Sequence, residues 1–431
     1  MKNLILTLIL GVLFSSCGGD DSSSSSSPSS TQVSSAVYKG SAIAATSFFN
    51  TKSTFSLEVK RDENVNEWKH QFNSEKSTFI ITGPSSIVVS GDYEVKDSGF
   101  LKLTVTASNN ESTVPVGTEA YGLLIDGLAF LLKPLGEDTG IIPMLISGTC
   151  PDSDFSMNWI VTSNNSDITQ CETAYGNGNL GLDITGLAEF NATDSTVELT
   201  NSWDICDNEL RCSSFDGNQT LCENRGGCSW NVSSSTCSPS DGAMTYTCSE
   251  GTATVMGVNE SGDPVTLAWL YLTNSGAAMI QTESESDSSV LLGFPKDTLT
   301  GSEDSLNGDY FGMVFIANEE DSVMPVNVEI SGTTINVTHM NPDSGVDTGY
   351  AGTLTITNYD QPGTGFFTAT LSVNESDTAA IHSYVQCTVD LDTASSGKNI
   401  INCVGQEPGE SAIGNVKYGS DSMFSLMIIS K

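Results

Sequence analysis

VNVEI, residues 326–330, alternates apolar and polar side chains with a period of two. Successive side chains of a β-strand point to opposite faces, so this stretch predicts a strand with one buried and one exposed face. The same alternation recurs in FSLEV at 55–59, LTVT at 103–106 and LTIT at 354–357. Clusters of Gly, Asn, Asp, Ser and Pro separate these runs, as expected at strand ends. The pattern predicts an all-β chain.

The strands are expected to form tandem domains. Roughly 25 short strands predict antiparallel meanders that close into sandwiches or small barrels stapled by disulfides. We expect three β domains at 37–147, 148–298 and 299–431, with a linker near 295–308. The last domain shows eight candidate strands, which start near Asp309, Val323, Thr333, Tyr350, Gly365, Ala379, Lys398 and Ser422.

Faint internal echoes accompany this division. Tyr38-Lys-Gly40 resembles Tyr310-Phe-Gly312, and each is followed by an alternating run, FSLEV and VNVEI respectively. The stretch YGLLIDGLAFLL at 121–132 resembles WLYLTNSGAAMI at 269–280. Two explanations stay open at this point: the domains are true repeats, or two β-rich stretches are alike by chance.

The N-terminus carries an export signal. Residues 1–16 combine Lys2 with a short apolar run, which is too short for a membrane-spanning helix of about 20 residues. Ser15-Ser16-Cys17 then resembles the lipobox of bacterial lipoproteins, which implies that Cys17 receives diacylglycerol and further fatty acid such as palmitate. The alternative is an ordinary cleaved signal peptide beside an unmodified cysteine. By the same resemblance, Gly18 in place of Asp implies the outer membrane, on its periplasmic or its surface face.

Residues 17–36 are therefore expected to form a lipid anchor and a flexible tether. Serine and glycine dominate the tether, which has too few apolar side chains to offset the entropy of ordering it. The residues from Gly18 to Ala36 would reach at most ~65 Å when extended and ~25 Å as a flexible coil.

The charge of the chain excludes one class of function. The sequence has 53 acidic and 16 basic residues, a net charge of −37. Nucleic-acid binding and anionic-lipid binding both need clustered Lys and Arg, so we exclude each of them as a main activity. The acidic surplus favours solubility, with divalent cation binding as the alternative.

The cysteines indicate an oxidising compartment. Eleven are present, and setting Cys17 aside leaves an even number in an exported chain, which predicts disulfides. Cys387 and Cys403 flank a turn at 394–397 symmetrically and predict one cross-strand disulfide. A zinc site is not expected because no CxxC occurs. The cysteines whose pairing stays open are Cys150, Cys171, Cys206, Cys212, Cys222, Cys228, Cys237 and Cys248.

Six of these cysteines lie in one insertion, at 206–248. Within it, CSSFDGNQTLCENRGGCSWNVSSSTC at 212–237 resembles small cysteine-rich modules of extracellular proteins, in the style of the plexin–semaphorin–integrin domain. The strands expected at 196–203 and 244–248 would pair and present the module at a hairpin tip. Such a knob can serve recognition or merely stabilise a long loop.

No catalytic motif occurs. The chain lacks GxSxG and HExxH, and its histidines are His70, His339 and His382. We expect His70 on the outward face of its strand and His382 in a strand as well. No cofactor is expected; irregular Ca²⁺ sites at 204–209 or 341–347 are the alternative, and the start at Asp390 lacks a closing Glu.

The sequence therefore predicts a lipid-anchored envelope protein that displays β domains for interaction, adhesion or envelope structure. The expected partners are the membrane, through the lipid, and an unidentified protein or glycan. Two alternatives remain: small-ligand binding inside a barrel, and a secreted hydrolase with a site built from two carboxyl groups.

Overall fold

The structure is a computed structural model. It describes residues 35, 37–41, 67–83, 86–112, 114–125, 129–134, 142–146, 148–163, 183–204, 217, 219, 228–239, 244–258, 264–274, 278–282, 290–295, 299, 301–316, 323–359, 365–372, 383–391, 398–406, 411–413, 416–418 and 423–431. The expected signal peptide, Cys17 and almost all of the tether lie outside these ranges, as does His382.

The alternating runs form strands with one buried face. In VNVEI the three apolar residues are buried and Glu329 is exposed. LTVT and LTIT show the same alternation of burial along their strands. The all-β prediction is confirmed: the described strands form antiparallel sheets, and three of these sheets close into barrels.

Barrel 1 pairs each strand with the next in the chain and closes by pairing the first strand with the last. Its strands are β1 (Val37–Ser41), β2 (Glu67–Asn73), β3 (Thr78–Gly83), β4 (Ile87–Val95), β5 (Leu101–Ser108), β6 (Glu119–Ile125), β7 (Ala129–Pro134) and β8 (Ile142–Ile146).

Barrel 2 has the same next-neighbour order, with a two-stranded hairpin inserted after its third strand. The barrel contains β9 (Phe155–Ser163), β10 (Asp183–Asn191), β11 (Thr196–Asp204), β14 (Met244–Ser249), β15 (Thr252–Val258), β16 (Pro264–Leu272), β17 (Ala278–Thr282) and β18 (Val290–Pro295). The inserted hairpin contains β12 (Cys228–Asn231) and β13 (Thr236–Pro239).

Barrel 3 follows a short 3-10 helix at Glu303–Leu306 and repeats the order once more. It contains β19 (Gly308–Ile316), β20 (Val323–Ser331), β21 (Thr334–Met340), β22 (Asp347–Asn358), β23 (Phe366–Ser372), β24 (Ser383–Asp390), β25 (Ile400–Gln406) and β28 (Met423–Ser430). A separate hairpin joins β26 (Ser411–Ile413) to β27 (Val416–Tyr418).

Two of the sequence echoes occupy equivalent places in this repeated topology. Tyr38 and Tyr310 lie in the first strands of barrels 1 and 3, and both are almost fully buried. Residues 121–132 and 269–280 each cover the hairpin between the sixth and seventh strands of a barrel. The similar runs LTVT and LTIT do not occupy equivalent places, because they lie in the fifth strand of barrel 1 and the fourth strand of barrel 3. FSLEV lies outside the described residues.

Side chains fill the described interior of barrel 3. Val385, Cys387 and Val389 of β24 point inward, and so do Ile401 and Cys403 of β25. The register places Cys387 directly opposite Cys403, and a disulfide joins them with 4.0 Å between the Cα atoms. The Tyr310 hydroxyl donates a hydrogen bond to the Leu306 carbonyl at 2.7 Å, which fixes the 3-10 helix against this core.

The interior of barrel 1 is aromatic and contains His70. The outward orientation predicted for His70 is wrong: Lys69 and Gln71 are exposed, whereas His70 is buried. Its ring lies 4.2 Å from Phe72 and 5.5 Å from Phe79, measured between centroids. Phe72, two residues farther along β2, is buried on the same face as His70. Burial lowers the pKa of His70 to about 3.

Outward-facing apolar side chains of all three barrels form one shared core. In β6, Leu124 points into barrel 1, whereas Leu123 and Ile125 point out and are equally buried. They belong to one continuous apolar cluster with Leu292 and Phe294 of barrel 2. Barrel 3 contributes Phe311, Met313, Ile400, Val404, Met427 and Ile429 to this cluster.

A polar layer adjoins the shared core between barrels 2 and 3. Strand β9 contacts β24, β25 and β28, and it covers their outward faces. Those faces carry buried polar side chains, and Asn158 of β9 is buried as well. The covered residues of barrel 3 are Gln386, Thr388, Asp390, Asn402 and Ser425. The period of two thus persists here, although no face of these strands meets solvent.

In the described part of the chain, no helix has the length and apolar character needed to cross a membrane.

The buried imidazole of His70 should make barrel 1 sensitive to acid. Folded His70 stays neutral down to about pH 3, whereas the unfolded chain takes up a proton below pH 6.5. Because the unfolded state then binds more protons, the free energy of unfolding should fall by about 2 kcal/mol between pH 7 and pH 5 on account of this residue. Urea unfolding at both pH values should show that His70→Phe removes this component. His339→Phe, at a half-buried position of barrel 3, serves as the control; an equal pH dependence of wild type and His70→Phe would contradict the assignment.

Candidate functional site

The cysteine-rich insertion leaves barrel 2 between β11 and β14. These strands pair at their starts, with Thr196 opposite Thr245 and Val197 opposite Met244. Cys248 of β14 forms a disulfide with Cys150, which lies in the segment between barrels 1 and 2. The strand that follows the insertion is therefore tied covalently to the connection between the two barrels.

The other cysteines of this region are only partly described. Cys228 lies in β12 and Cys237 in β13. Trp230 of β12 is the cross-strand neighbour of Cys237. Cys171, Cys206, Cys212 and Cys222 lie outside the described residues, as do most of residues 205–227. That these six cysteines form disulfides remains a prediction, with no pairing assigned to them.

The turn of the β12–β13 hairpin is ordered by its own polar groups. The Asn231 side-chain oxygen accepts hydrogen bonds from the backbone amides of Ser233 at 3.0 Å and Ser234 at 3.3 Å. Ser235 adopts a positive φ of 55°, as tight turns require. The backbone amide of Gly217 donates to the Ser235 carbonyl at 3.0 Å. This ordered turn leaves Val232 75% exposed.

Barrel 1 presents a second distinctive surface, the outward side of its first four strands. We call it the β1–β4 face and define it by Val37, Lys39, Lys69, Gln71, Ile80, Thr82, Val88 and Ser90. Cross-strand pairing aligns these residues in two rows, Val37–Gln71–Ile80–Ser90 and Lys39–Lys69–Thr82–Val88. Val37, Ile80 and Val88 are exposed aliphatic residues in these rows.

A pocket of about 410 Å³ adjoins this face at the β2–β3 turn. Phe72 and Phe79 contribute to its lining, and polar groups include those of Asn73 and Lys76. Gln71 and Ile80 belong both to the pocket and to the β1–β4 face. The hydroxyls of Ser35 and Ser74 lie 3.0 Å apart beside it, so the chain enters barrel 1 at this end.

The loop at 341–347 joins barrel 3 to barrel 1. Asp343 accepts a hydrogen bond from the Tyr121 hydroxyl at 2.8 Å and lies 3.2 Å from the Lys96 ammonium. The Ser98 hydroxyl donates to the Pro342 carbonyl, and the ring of Phe100 meets that of Phe311 edge to face at 5.7 Å. Gly99 has a positive φ, and a Cβ there would collide with the Phe311 ring.

These contacts shift the titration of the groups involved. The hydrogen bond from Tyr121, with the charge and hydrogen bond of Lys96, holds the pKa of Asp343 below its usual value. Burial, together with Asp343, raises the pKa of Tyr121 to about 12. Hydrogen bonds to Glu94 and Asp343 raise the pKa of Lys96. An ionised Asp343 held by a neutral phenol and an ammonium is suited to joining barrels rather than to proton transfer.

The segments considered as cation sites from the sequence either make other contacts or lie mostly outside the described residues. Asn341 accepts hydrogen bonds from the backbone amides of Asp343 and Ser344, which shapes the 341–347 loop for its contact with barrel 1. Of the 204–209 segment only Asp204 is described, and Asp390 is buried beneath barrel 2. Among the described residues, no group of three His, Cys, Asp or Glu side chains could hold a metal ion.

Sequence reasoning missed both the shared core and the β1–β4 face. Strand β28 is buried at every position from Phe424 to Ile429. Such an apolar run without alternation is a usable signal, because it marks a strand that is covered on both faces. The β1–β4 face had no signal along the chain, since its two rows exist only through the pairing of four strands.

Comparisons with known proteins give distant similarities. No protein-family model matches the sequence, and no curated protein matches it. A double mutant of transferrin binding protein B from Haemophilus parasuis Hp5 is 9% identical with a TM-score of 0.24, covering 93% of this chain and 76% of that one. Isotype 1 transferrin binding protein B from serogroup B Neisseria meningitidis is 9% identical with a TM-score of 0.23, covering 85% and 65% respectively. Scores this low assign neither a family nor a function to this chain.

The Asp343 junction should contribute to the packing of barrel 1 on barrel 3. Asp343→Asn removes the ion pair with Lys96 and weakens the acceptor for Tyr121, and the partly exposed setting limits the expected loss to about 1 kcal/mol. Because the folded pKa of Asp343 is below its unfolded value of 3.8, this contribution should be present at neutral pH and vanish as the pH falls below that value. Thermal unfolding at neutral and acidic pH measures it, with the exposed Asp309→Asn as control. Identical melting of wild type and Asp343→Asn at neutral pH would refute the role.

Proposed function

We propose that this chain is a bacterial lipoprotein, anchored through Cys17 at the outer membrane, whose three-barrel body presents a recognition element to a partner protein. The observation that carries the proposal is Val232, which is 75% exposed on an ordered turn of the cysteine-rich insertion. A large aliphatic side chain on a hairpin turn that is already ordered loses little conformational entropy on binding, which favours a contact role.

The base of the insertion supports the same proposal. The Cys150–Cys248 disulfide and the barrel 2 strands on either side hold the ends of the insertion. Gly148 donates its backbone amide to the Leu272 carbonyl at 3.0 Å, and Asn274 accepts from the Thr149 amide at 2.9 Å. Binding residues are commonly placed on loops that a rigid scaffold positions, and these contacts supply the scaffold.

The anchor is proposed from the sequence. The short apolar signal, the cysteine at its end and the Ser-rich stretch that follows are the features on which it rests. Several acyl chains hold a protein on a membrane far more firmly than a single chain does. The tether would let the barrels reach a partner a few tens of ångströms from the lipid surface.

Lipidation is tested by replacing the acceptor thiol. Cys17→Ser should abolish incorporation of a metabolic palmitate analogue and release the protein from the membrane fraction, because no other residue resembles an acceptor site. Gly19→Ala changes the same segment and should keep both label and membrane association. Retention of the label in Cys17→Ser would rule out the proposed anchor.

Recognition through the hairpin is tested by site-specific crosslinking in intact cells. A photoreactive phenylalanine analogue at position 232 should give a protein adduct of defined mass, whereas the same analogue at position 346, another exposed valine, should not. Excess soluble Cys17→Ser chain should suppress the adduct, and the same chain carrying Val232→Asp should suppress it at least fivefold less well. Equal adducts from both positions, no adduct from 232, or equal competition by both chains would each overturn the proposal.

A further inference from the structure

The β1–β4 face lies where the tether enters the folded body. Strand β1 begins at Val37, one residue after the segment expected to be the tether. The contact of Ser35 with Ser74 places this entry beside the β2–β3 turn, and Val37 pairs with Gln71 just before that turn. A lipid anchor at Cys17 would therefore attach to the body on this side of barrel 1.

The composition of the face suits a lipid surface. Lys39 and Lys69 stand directly opposite each other on β1 and β2, which places two cationic side chains next to each other on this face. Exposed Lys76 lies in the adjoining turn. The aliphatic residues Val37, Ile80 and Val88 are 38%, 48% and 40% exposed in the same two rows. Lysines beside exposed aliphatic side chains are the combination that binds anionic headgroups and the interface beneath them.

Charge is distributed very unevenly between the barrels. Residues 37–147 contain nine Lys or Arg and 13 Asp or Glu, whereas residues 148–431 contain six and 38. The first segment therefore has a net charge of −4 and the second of −32. An anionic membrane repels barrels 2 and 3 far more strongly than barrel 1. The charge distribution therefore favours an orientation with barrel 1 toward the membrane.

We propose that the β1–β4 face rests on the anionic headgroups of the membrane that carries the lipid anchor, with barrels 2 and 3 directed away from it. The inference rests on the lipidation of Cys17 proposed above. A flexible tether alone would leave the body free to rotate, whereas docking of the β1–β4 face gives the body a preferred side toward the lipid.

The tether makes weak binding sufficient. Two or three lysines and three partly exposed aliphatic residues would not hold a free protein on a membrane. A short flexible tether raises the effective concentration of the face to the order of mM, at which such weak contacts become populated. Charges of barrels 2 and 3 that lie farther from the face than about 8 Å are largely screened at physiological salt.

Lysine reactivity provides the test. The full lipidated chain is reconstituted in vesicles of phosphatidylglycerol and phosphatidylcholine, acetylated with an amine-reactive reagent, and analysed lysine by lysine by mass spectrometry. Relative to the Cys17→Ser chain in buffer, Lys39, Lys69 and Lys76 should react at least threefold more slowly, and exposed Lys431 of barrel 3 should be unchanged. In vesicles of phosphatidylcholine alone this protection should be much weaker.

The outcomes separate this inference from the proposed function. If the lipidated chain does not float with the vesicles, the anchor fails and the inference falls with it. If the chain floats but Lys39, Lys69 and Lys76 keep the same rate ratio to Lys431 as in buffer, only the docking is overturned. Equal protection in neutral vesicles would overturn the role of anionic headgroups.

A variant on the exposed face tests whether the protection of Lys76 arises from docking of the β1–β4 face. Lys39→Glu combined with Val88→Glu changes two side chains that are not in the barrel interior, so barrel 1 should remain folded, as circular dichroism can verify. This variant should float normally but lose the protection of Lys76. Lys431→Glu, a charge reversal on barrel 3, should keep it. Protection of Lys76 that survives in the double variant would refute the proposal.

Discussion

The shared apolar core between the barrels is the constraint on which the rest of the structure depends. A closed barrel can satisfy its backbone hydrogen bonds and bury one face of every strand by itself. Here Leu123 and Ile125 of barrel 1, Phe294 of barrel 2, and Met427 and Ile429 of barrel 3 point away from their own barrel interiors and are buried together. Removing any one barrel would expose these side chains to water, so the three barrels stabilise one another.

Polar contacts around this core give the arrangement its specificity. Asp343, Lys96 and Tyr121 set how barrel 1 meets barrel 3, and the Gly99–Phe311 contact admits no larger side chain. The Cys150–Cys248 disulfide fixes the strand that follows the insertion to the connection between barrels 1 and 2. Strand β14, which follows the insertion, and the β1–β4 face are thereby held on one body. The two proposed surfaces could then act together, one toward the lipid and the other toward a partner.

Local pattern predicted much of the architecture and little of the candidate site. The VNVEI, LTVT and LTIT runs form strands with the burial that their alternation indicates, because each lies where one strand face meets solvent. The orientation of His70 was not predicted correctly by the same pattern, because a histidine is compatible with either face of a strand. The loop at 341–347, considered as a cation site, instead uses Asp343 to join two barrels, and no feature of its own seven residues reveals the partner.

The sequence by itself determined the strand class and the opposition of Cys387 and Cys403 across a turn, because each depends on spacing along the chain. Only the tertiary structure decided which outward faces are covered. Asn402 and Thr388 occupy positions that alternation assigns to solvent, yet they lie beneath β9. Lys39 and Lys69, separated by a long stretch of chain, become neighbours only through the pairing of β1 with β2. The physical reason is the same in both cases: a side chain's environment is set by strands that are distant in sequence and adjacent in space.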